Sequence, residues 1–147
     1  MIQKYIPFLL VFTLLLVGCS EDEPNLEELV IPEAQVCEST HPLVGQSKQL
    51  RVSNTYGISG TVTIMSDCEI QFSDFFYNGL GPAVSIYGGL NSDFDSGINL
   101  STTLNGRRFT GDTFSVFLPE GTTLDDINSF SVWCFQFDIN FSSVSFQ

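Results

Sequence analysis

Five side chains carry the readiest chemistry in this chain: Cys19, Cys37, Cys68, Cys134 and the single histidine, His41. Thiolates attack electrophiles, ligate metals and pair as disulfides, while imidazole ligates metals and moves protons. Spacing restricts each option. Cys37 and His41, together with Cys68, make a three-ligand set of the zinc type, yet a segment rich in Glu and Pro holds ligands poorly. No serine stands in a nucleophile elbow, so a Ser-His-Asp arrangement has no support. Asp125 and Asp126 are adjacent, which on a turn points their carboxylates apart. They suit a helix N-terminus better than paired acid–base work. Asn91-Ser-Asp-Phe-Asp-Ser-Gly97 alternates oxygen ligands like a calcium loop but lacks the later bidentate Glu, and reads as an Asx-rich turn.

Cys134 is the cysteine with a structural context. It lies in Phe130–Phe146, a dense aromatic run that also holds the only tryptophan, Trp133. On an extended strand, Phe130, Val132 and Cys134 share one side, and Trp133, Phe135, Phe137, Ile139 and Phe141 the other. A strand apolar on both sides is buried on both sides or changes face at a bulge. Cys134 is therefore expected inside a β core.

The rest of the chain supplies that core. With 147 residues, 14 Phe, 12 Gly and 15% charged residues, it is one compact sheet domain with appendages. The net charge of −12 excludes nucleic acid and anionic lipid as partners of the whole surface, since both repel it. From Lys48 onward, short period-two runs alternate with turn residues, and no 3.6-residue periodicity competes. Strands are expected at 49–56, 58–65, 68–75, 82–87, 97–104, 112–118, 129–138 and 140–146. Val62 and Ile64 should face Ile70 and Phe72 across a hairpin turning at Ser66-Asp67. Thr123–Ile127 reads as one helical turn capped by Thr122 or Thr123. The fold class is all-β: a single antiparallel β-sandwich, or small barrel, of about eight strands over residues 46–147.

Residues 1–18 read as a leader. Lys4 precedes an apolar run, Phe8 to Val17, too short to span a bilayer as a helix. The run ends in Leu16-Val17-Gly18-Cys19, which resembles the bacterial lipobox. There the cysteine thiol takes a diacylglyceryl group and, with palmitate-type chains, becomes the lipidated N-terminus. Two or more acyl chains, at about 0.8 kcal/mol per buried methylene, hold such a protein permanently to a membrane. Ser20 and the acids Glu21, Asp22 and Glu23 resemble the sorting and surface-export signals of outer-membrane lipoproteins. Residues 19–45, with Pro24, Pro32 and Pro42, read as a flexible acidic tether.

Lipidation of Cys19 leaves three cysteines in an oxidising compartment, an odd number. A Cys37–Cys68 disulfide would pin tether to domain and is the expected pair. Cys68 shares parity with Ile70 and Phe72, so it can also point inward, and Cys68–Cys134 remains a competitor.

Several runs occur in a recognisable order: Ile58-Ser-Gly-Thr-Val62, Ile70-Gln-Phe-Ser-Asp-Phe75, Tyr77-Asn-Gly-Leu-Gly-Pro82, Phe117-Leu-Pro119 and Phe130-Ser-Val-Trp-Cys134. Together they resemble the DM-thirteen domain over about residues 50–146. The resemblance implies a β-sandwich and an electron-transfer or redox role centred on the cysteine matching Cys134, with Trp133, Tyr56 and Pro82 around it. DOMON modules and cytochrome-b-type reductases accompany the family elsewhere. Haem or another redox partner is implied only through that company. Family members often carry His where Tyr56 stands, Asp where Ala83 stands and Gly at Ser142 or Ser143. Two functions follow: a lipid-anchored module that passes electrons or senses oxidants, and a non-enzymatic binding or adhesion module whose Cys134 is structural. Enzymatic catalysis is not expected, and the partners are the membrane and an envelope protein.

Cys19→Ala is expected to abolish incorporation of labelled palmitate and to release the protein from membranes on fractionation. Labelling that persists in the variant would remove the lipobox reading.

Overall fold

The computed structural model describes residues 37–147. The leader, Cys19 and the tether up to residue 36 lie outside the described residues. Eight strands follow in order: β1 (Ser47–Gln49), β2 (Ser59–Ile64), β3 (Glu69–Tyr77), β4 (Val84–Leu90), β5 (Asp93–Asn99), β6 (Phe109–Phe117), β7 (Ser129–Cys134) and β8 (Ile139–Ser145). They form two antiparallel four-stranded sheets, ordered β1-β2-β3-β6 and β5-β4-β7-β8. The chain builds β1 to β3 as a meander and then crosses to the second sheet for β4 and β5. It returns for β6 beside β3, and crosses again for β7 and β8. This is the all-β sandwich expected from alternating runs and short breaks.

The inner faces carry the apolar alternation. Val62 and Ile64 face Phe72 and Ile70 in the β2–β3 register, as the hairpin reading requires. On β3 the inward residues change parity, from Ile70 and Phe72 to Phe75 and Tyr77. Asp74, at φ 47°, supplies the extra residue of a bulge that keeps large rings inward along a nine-residue strand. Phe75 meets Phe72 and Phe109 edge-on, with ring centroids 6.0 and 5.1 Å apart. The facing layer is Val84, Ile86, Phe130, Val132 and Cys134, and Leu50, Ile58, Leu118 and Ile127 close the gaps.

Four expectations shift. The strand expected over 129–138 ends at Cys134. Residues 135–138 form the β7–β8 turn, with Asp138 at φ 53°, so Phe135, Phe137 and Ile139 lie exposed rather than buried. The first strand is three residues long and starts earlier, and 50–58 becomes a loop closed by a single Ser53–Ile58 bridge. The fifth strand is Asp93–Asn99, not 97–104. Residues 100–105 instead follow the edge of β4, where Ser101 Oγ and Asn105 Oδ1 accept from the amides of Ile86 and Val84. Leu100 and Leu104 N–H donate to the Ile86 and Val84 carbonyls, and the two side chains complete a pairing that this segment does not make as a strand. Asn91 and Ser92, both at positive φ, make the tight β4–β5 turn, the Asx-rich turn expected of this run.

The fourth shift concerns residues 37–45, read above as tether. They are fastened to the domain. Asp67 accepts from the amides of Thr40 and His41 at 3.0 and 2.9 Å and from the Thr40 hydroxyl at 2.7 Å. Gly45 N–H donates to Ile64 C=O, Leu43 and Val44 pack on the core, and Cys37 is disulfide-bonded to Cys68, Cα to Cα 5.4 Å, the pair expected from the sequence.

Closing a loop of sequence separation 31 stabilises by about 3–4 kcal/mol in the chain-entropy account. Reduction, or Cys37→Ser with Cys68→Ser, is expected to lower unfolding free energy by that amount in urea titrations. The Thr40 hydroxyl and the His41 amide hold the Asp67 carboxyl below its ordinary 3.8. A depressed folded value means that its contribution is complete above the unfolded pKa and is lost as pH falls through the folded one. Between pH 4 and pH 2 (roughly the span below an ordinary Asp), Asp67→Asn should show a shallower loss of melting temperature than the parent.

Candidate functional site

Cys134 is the one cysteine among the described residues outside a disulfide, and it is fully buried. Its position follows from β7, the inner strand between β4 and β8, all six of whose residues are buried. Strand alternation turns Phe130, Val132 and Cys134 to the space between the sheets. Cys134 lies opposite Val84 on one side and Ile139 on the other, at the last rung of its sheet.

The other sheet contributes Tyr77, the last residue of β3, with 1% of its surface exposed. Its Oη accepts a hydrogen bond from Gly81 N–H at 2.9 Å. A Cβ added to Gly81 would stand 2.5 Å from that Oη, 2.8 Å from the Phe141 ring and 2.9 Å from Val84. Only glycine admits this approach, and through it Tyr77, Phe141 and Val84 share one layer with Cys134. Phe141 in turn stacks on Tyr56, centroids 3.7 Å apart and planes within 6°. Burial pushes the Tyr77 phenol above its ordinary 10.0, the Gly81 amide opposes this, and the nearby Cys134 and Tyr56 add to the rise. Tyr77 is thus a neutral phenol whose oxygen accepts one bond.

The residues singled out from sequence separate accordingly. Tyr56 joins the Cys134 layer through Phe141, and half-buried Pro82 adjoins it between Gly81 and Val84. Trp133 does not. Alternation sends it to the outer face of the sheet, where its ring lies 6.3 Å from Tyr87 and 5.9 Å from Phe94. Tyr77, Gly81 and Phe141 are the functional neighbours that sequence reasoning missed. The signal for the first two was Tyr77-x₃-Gly81, a large ring and a residue without Cβ that the fold brings into contact.

Cys37 and Cys68 belong elsewhere. Cys68 directly precedes β3 and Tyr77 ends it, so the two sites lie a strand length apart, roughly 26 Å at ~3.3 Å per residue. A Cys68–Cys134 bond is incompatible with that distance. The disulfide instead lines a cleft of about 480 Å³ with Thr40, His41, Thr123 and Asp125. His41 Nδ1 accepts from Leu43 N–H at 3.2 Å, which leaves the proton on Nε2, 3.4 Å from Asp125 Oδ1. The Thr123 hydroxyl donates to Asp126 at 2.8 Å, so nothing directs it at His41 as a nucleophile. The Cys37, His41 and Cys68 ligand set is also closed, because the two sulphurs bond each other.

Comparison with known proteins bears on the Cys134 end. Residues 49–146 match the model of the family described as Electron transfer DM13. Two fruit-fly proteins, Protein Skeletor isoforms B/C and isoforms D/E of Drosophila melanogaster, are each 31% identical over 115 residues, covering 74% of this chain. The chain spans only 15% and 8% of their respective lengths. No solved structure matches.

Gly81→Ala forces either Tyr77 or Phe141 out of place. It is expected to lower stability by about 1–3 kcal/mol, the ordinary cost of overpacking, and to raise the reaction rate of Cys134 with a thiol reagent in the native state. A variant as stable and as unreactive as the parent would show that the Tyr77 contact does not close the site.

Proposed function

The chain belongs to the Electron transfer DM13 family, and from that premise we propose that it is an electron-transfer module of the bacterial outer membrane, hung from lipidated Cys19, with Cys134 as its redox-active group. The observation that carries the reading is a thiol kept out of any disulfide, buried where both sheets meet, with Tyr77 nearby. Acyl chains on Cys19 would confine the module to a membrane surface, and the acids Glu21, Asp22 and Glu23 of the tether would favour display at the cell surface.

Two modes of exchange suit such a group. In an oxidant-sensing mode, the Cys134 sulphur attacks one oxygen of a hydroperoxide. An S–O bond forms as the O–O bond breaks, Cys134 becomes sulfenic acid and the other oxygen departs as alcohol with the thiol's proton; two external thiols then restore the thiol, yielding water and their disulfide. In an electron-passing mode, the redox cofactor belongs to the partner. Among the described residues no three His, Cys, Asp or Glu side chains converge as a metal ligand set.

A second reading is favoured by the complete burial of Cys134: the thiol is a small apolar core group in a binding or adhesion module. The two separate in one experiment on the intact purified protein. Exposure to hydroperoxide followed by a sulfenic-acid probe should label Cys134, dithiothreitol should reverse it, and Cys134→Ser should stay folded and unlabelled. Voltammetry should show a couple that the variant lacks. A Cys134 inert to both, in a protein whose variant is merely less stable, establishes the structural role.

A further inference from the structure

The end of the sandwich that holds Cys134 carries a group of exposed apolar side chains, while Phe117 and Met65 are bare at the disulfide end. Leu80 is 80% exposed, Phe137 58%, Ile139 49% and Phe135 38%. These residues adjoin. Phe135 N–H donates to Ala83 C=O, in the same loop as Leu80, and Ile139 lies opposite Cys134 at the first rung of β8. A monomer seldom leaves a cluster of large apolar groups in water without a use for it.

Charge is distributed just as unevenly. The described residues hold four basic side chains, Lys48, Arg51, Arg107 and Arg108. Arg107 and Arg108 flank the apolar loop, since a Cβ on Gly79 would lie 2.9 Å from Arg107 O and 3.3 Å from Arg108 N. Arg51 lines a small cleft with Asn140 and Phe141 at the start of β8. At the far end Glu38, Asp67 and Asp125 line the disulfide cleft, with Glu69, Glu120 and Asp126 in the adjoining β3 start and β6–β7 loop. The acids toward the Cys134 end are Asp138 at the hairpin tip, Asp74 at the β3 bulge and Asp112, whose carboxylate accepts from Thr110 N–H.

We infer that the Leu80, Phe135, Phe137 and Ile139 surface, rimmed by Arg107 and Arg108, is the docking face for a partner protein whose own face is apolar at the centre and acidic around it. The inference starts from the reading above, because it names what approaches Cys134. Such a partner is repelled by the acidic end and steered to the arginine end, so only one orientation brings it over the thiol. The contact is short-lived and salt-dependent, as suits an exchange of electrons.

The test uses the intact protein and two synthetic peptides with the same Leu and Phe pattern, one carrying Glu and the other Lys. Amide-resolved NMR titration is expected to show the Glu peptide shifting residues 80–83, 107–108 and 135–139, with affinity falling as salt rises. Arg107→Glu with Arg108→Glu should weaken binding about tenfold. Leu80→Ser, which touches no core contact, should do the same should loss of Arg107 from the Phe109 ring disturb folding. Preference for the Lys peptide, or shifts confined to the disulfide end, overturns the inference. So does occupancy of the face only by phosphatidylglycerol vesicles or by a second copy of the chain on concentration. Docking by a protein whose Cys134 is redox-inert sinks the electron-transfer reading and leaves this one standing. A redox-active Cys134 in a protein that binds neither peptide does the reverse.

Discussion

Burial of both faces of β7 is the constraint on which the rest depends. An inner strand must satisfy every backbone group through its neighbours, and here β4 and β8 do so along its whole length. Once that ladder is in register, alternation leaves no freedom. Phe130, Val132 and Cys134 go inward; Ser129, Ser131 and Trp133 go outward. A one-residue slip would exchange the two sets and put Trp133 into a space sized for a thiol. The place of the sulphur is therefore set by hydrogen bonding along β7, and its chemistry begins from a site without water.

The two ends of the sandwich are closed by different means. At the β3 start, a disulfide, an Asp67 carboxylate with three donors and a turn capped by Asp126 bind loop to loop. At the β3 end, closure rests on the hydrogen bond from Gly81 N–H to the Tyr77 phenol and on Phe141 lying flat on Tyr56. The covalent cross-link is thus at the end away from Cys134.

Much of this architecture was legible in the sequence because period-two alternation reports it directly. The Val62/Ile64 against Phe72/Ile70 register and the inward Cys134 both follow from it. Phe135, Phe137 and Ile139 misled for the same reason. They continue the alternation of Trp133, yet Asp138 adopts a left-handed conformation and the chain reverses beneath them. Composition also hid the fastening of residues 37–45. Their bonds are to backbone amides and one carboxylate far along the chain, which no local pattern encodes. The Cys134 layer was half legible: Tyr56 and Pro82 entered through a family resemblance, whereas Tyr77, Gly81 and Phe141 come together only through crossing between sheets.

The departures from the family's pattern bear on what this layer can still do. Ala83 stands where relatives often carry Asp, but the work visible at position 83 is done by its carbonyl, which accepts from Phe135 N–H and fixes the end of β7. That contact is indifferent to the side chain. At position 56 the exchange of His for Tyr is different, because the side chain itself is the contact. Stacking on Phe141 at 3.7 Å needs only a flat ring, so the packing survives, while a group that could take a proton from a neighbour is replaced by a phenol that donates one. Position 56 therefore supplies the layer that holds Cys134 with a ring for packing and a hydroxyl, but with no imidazole base.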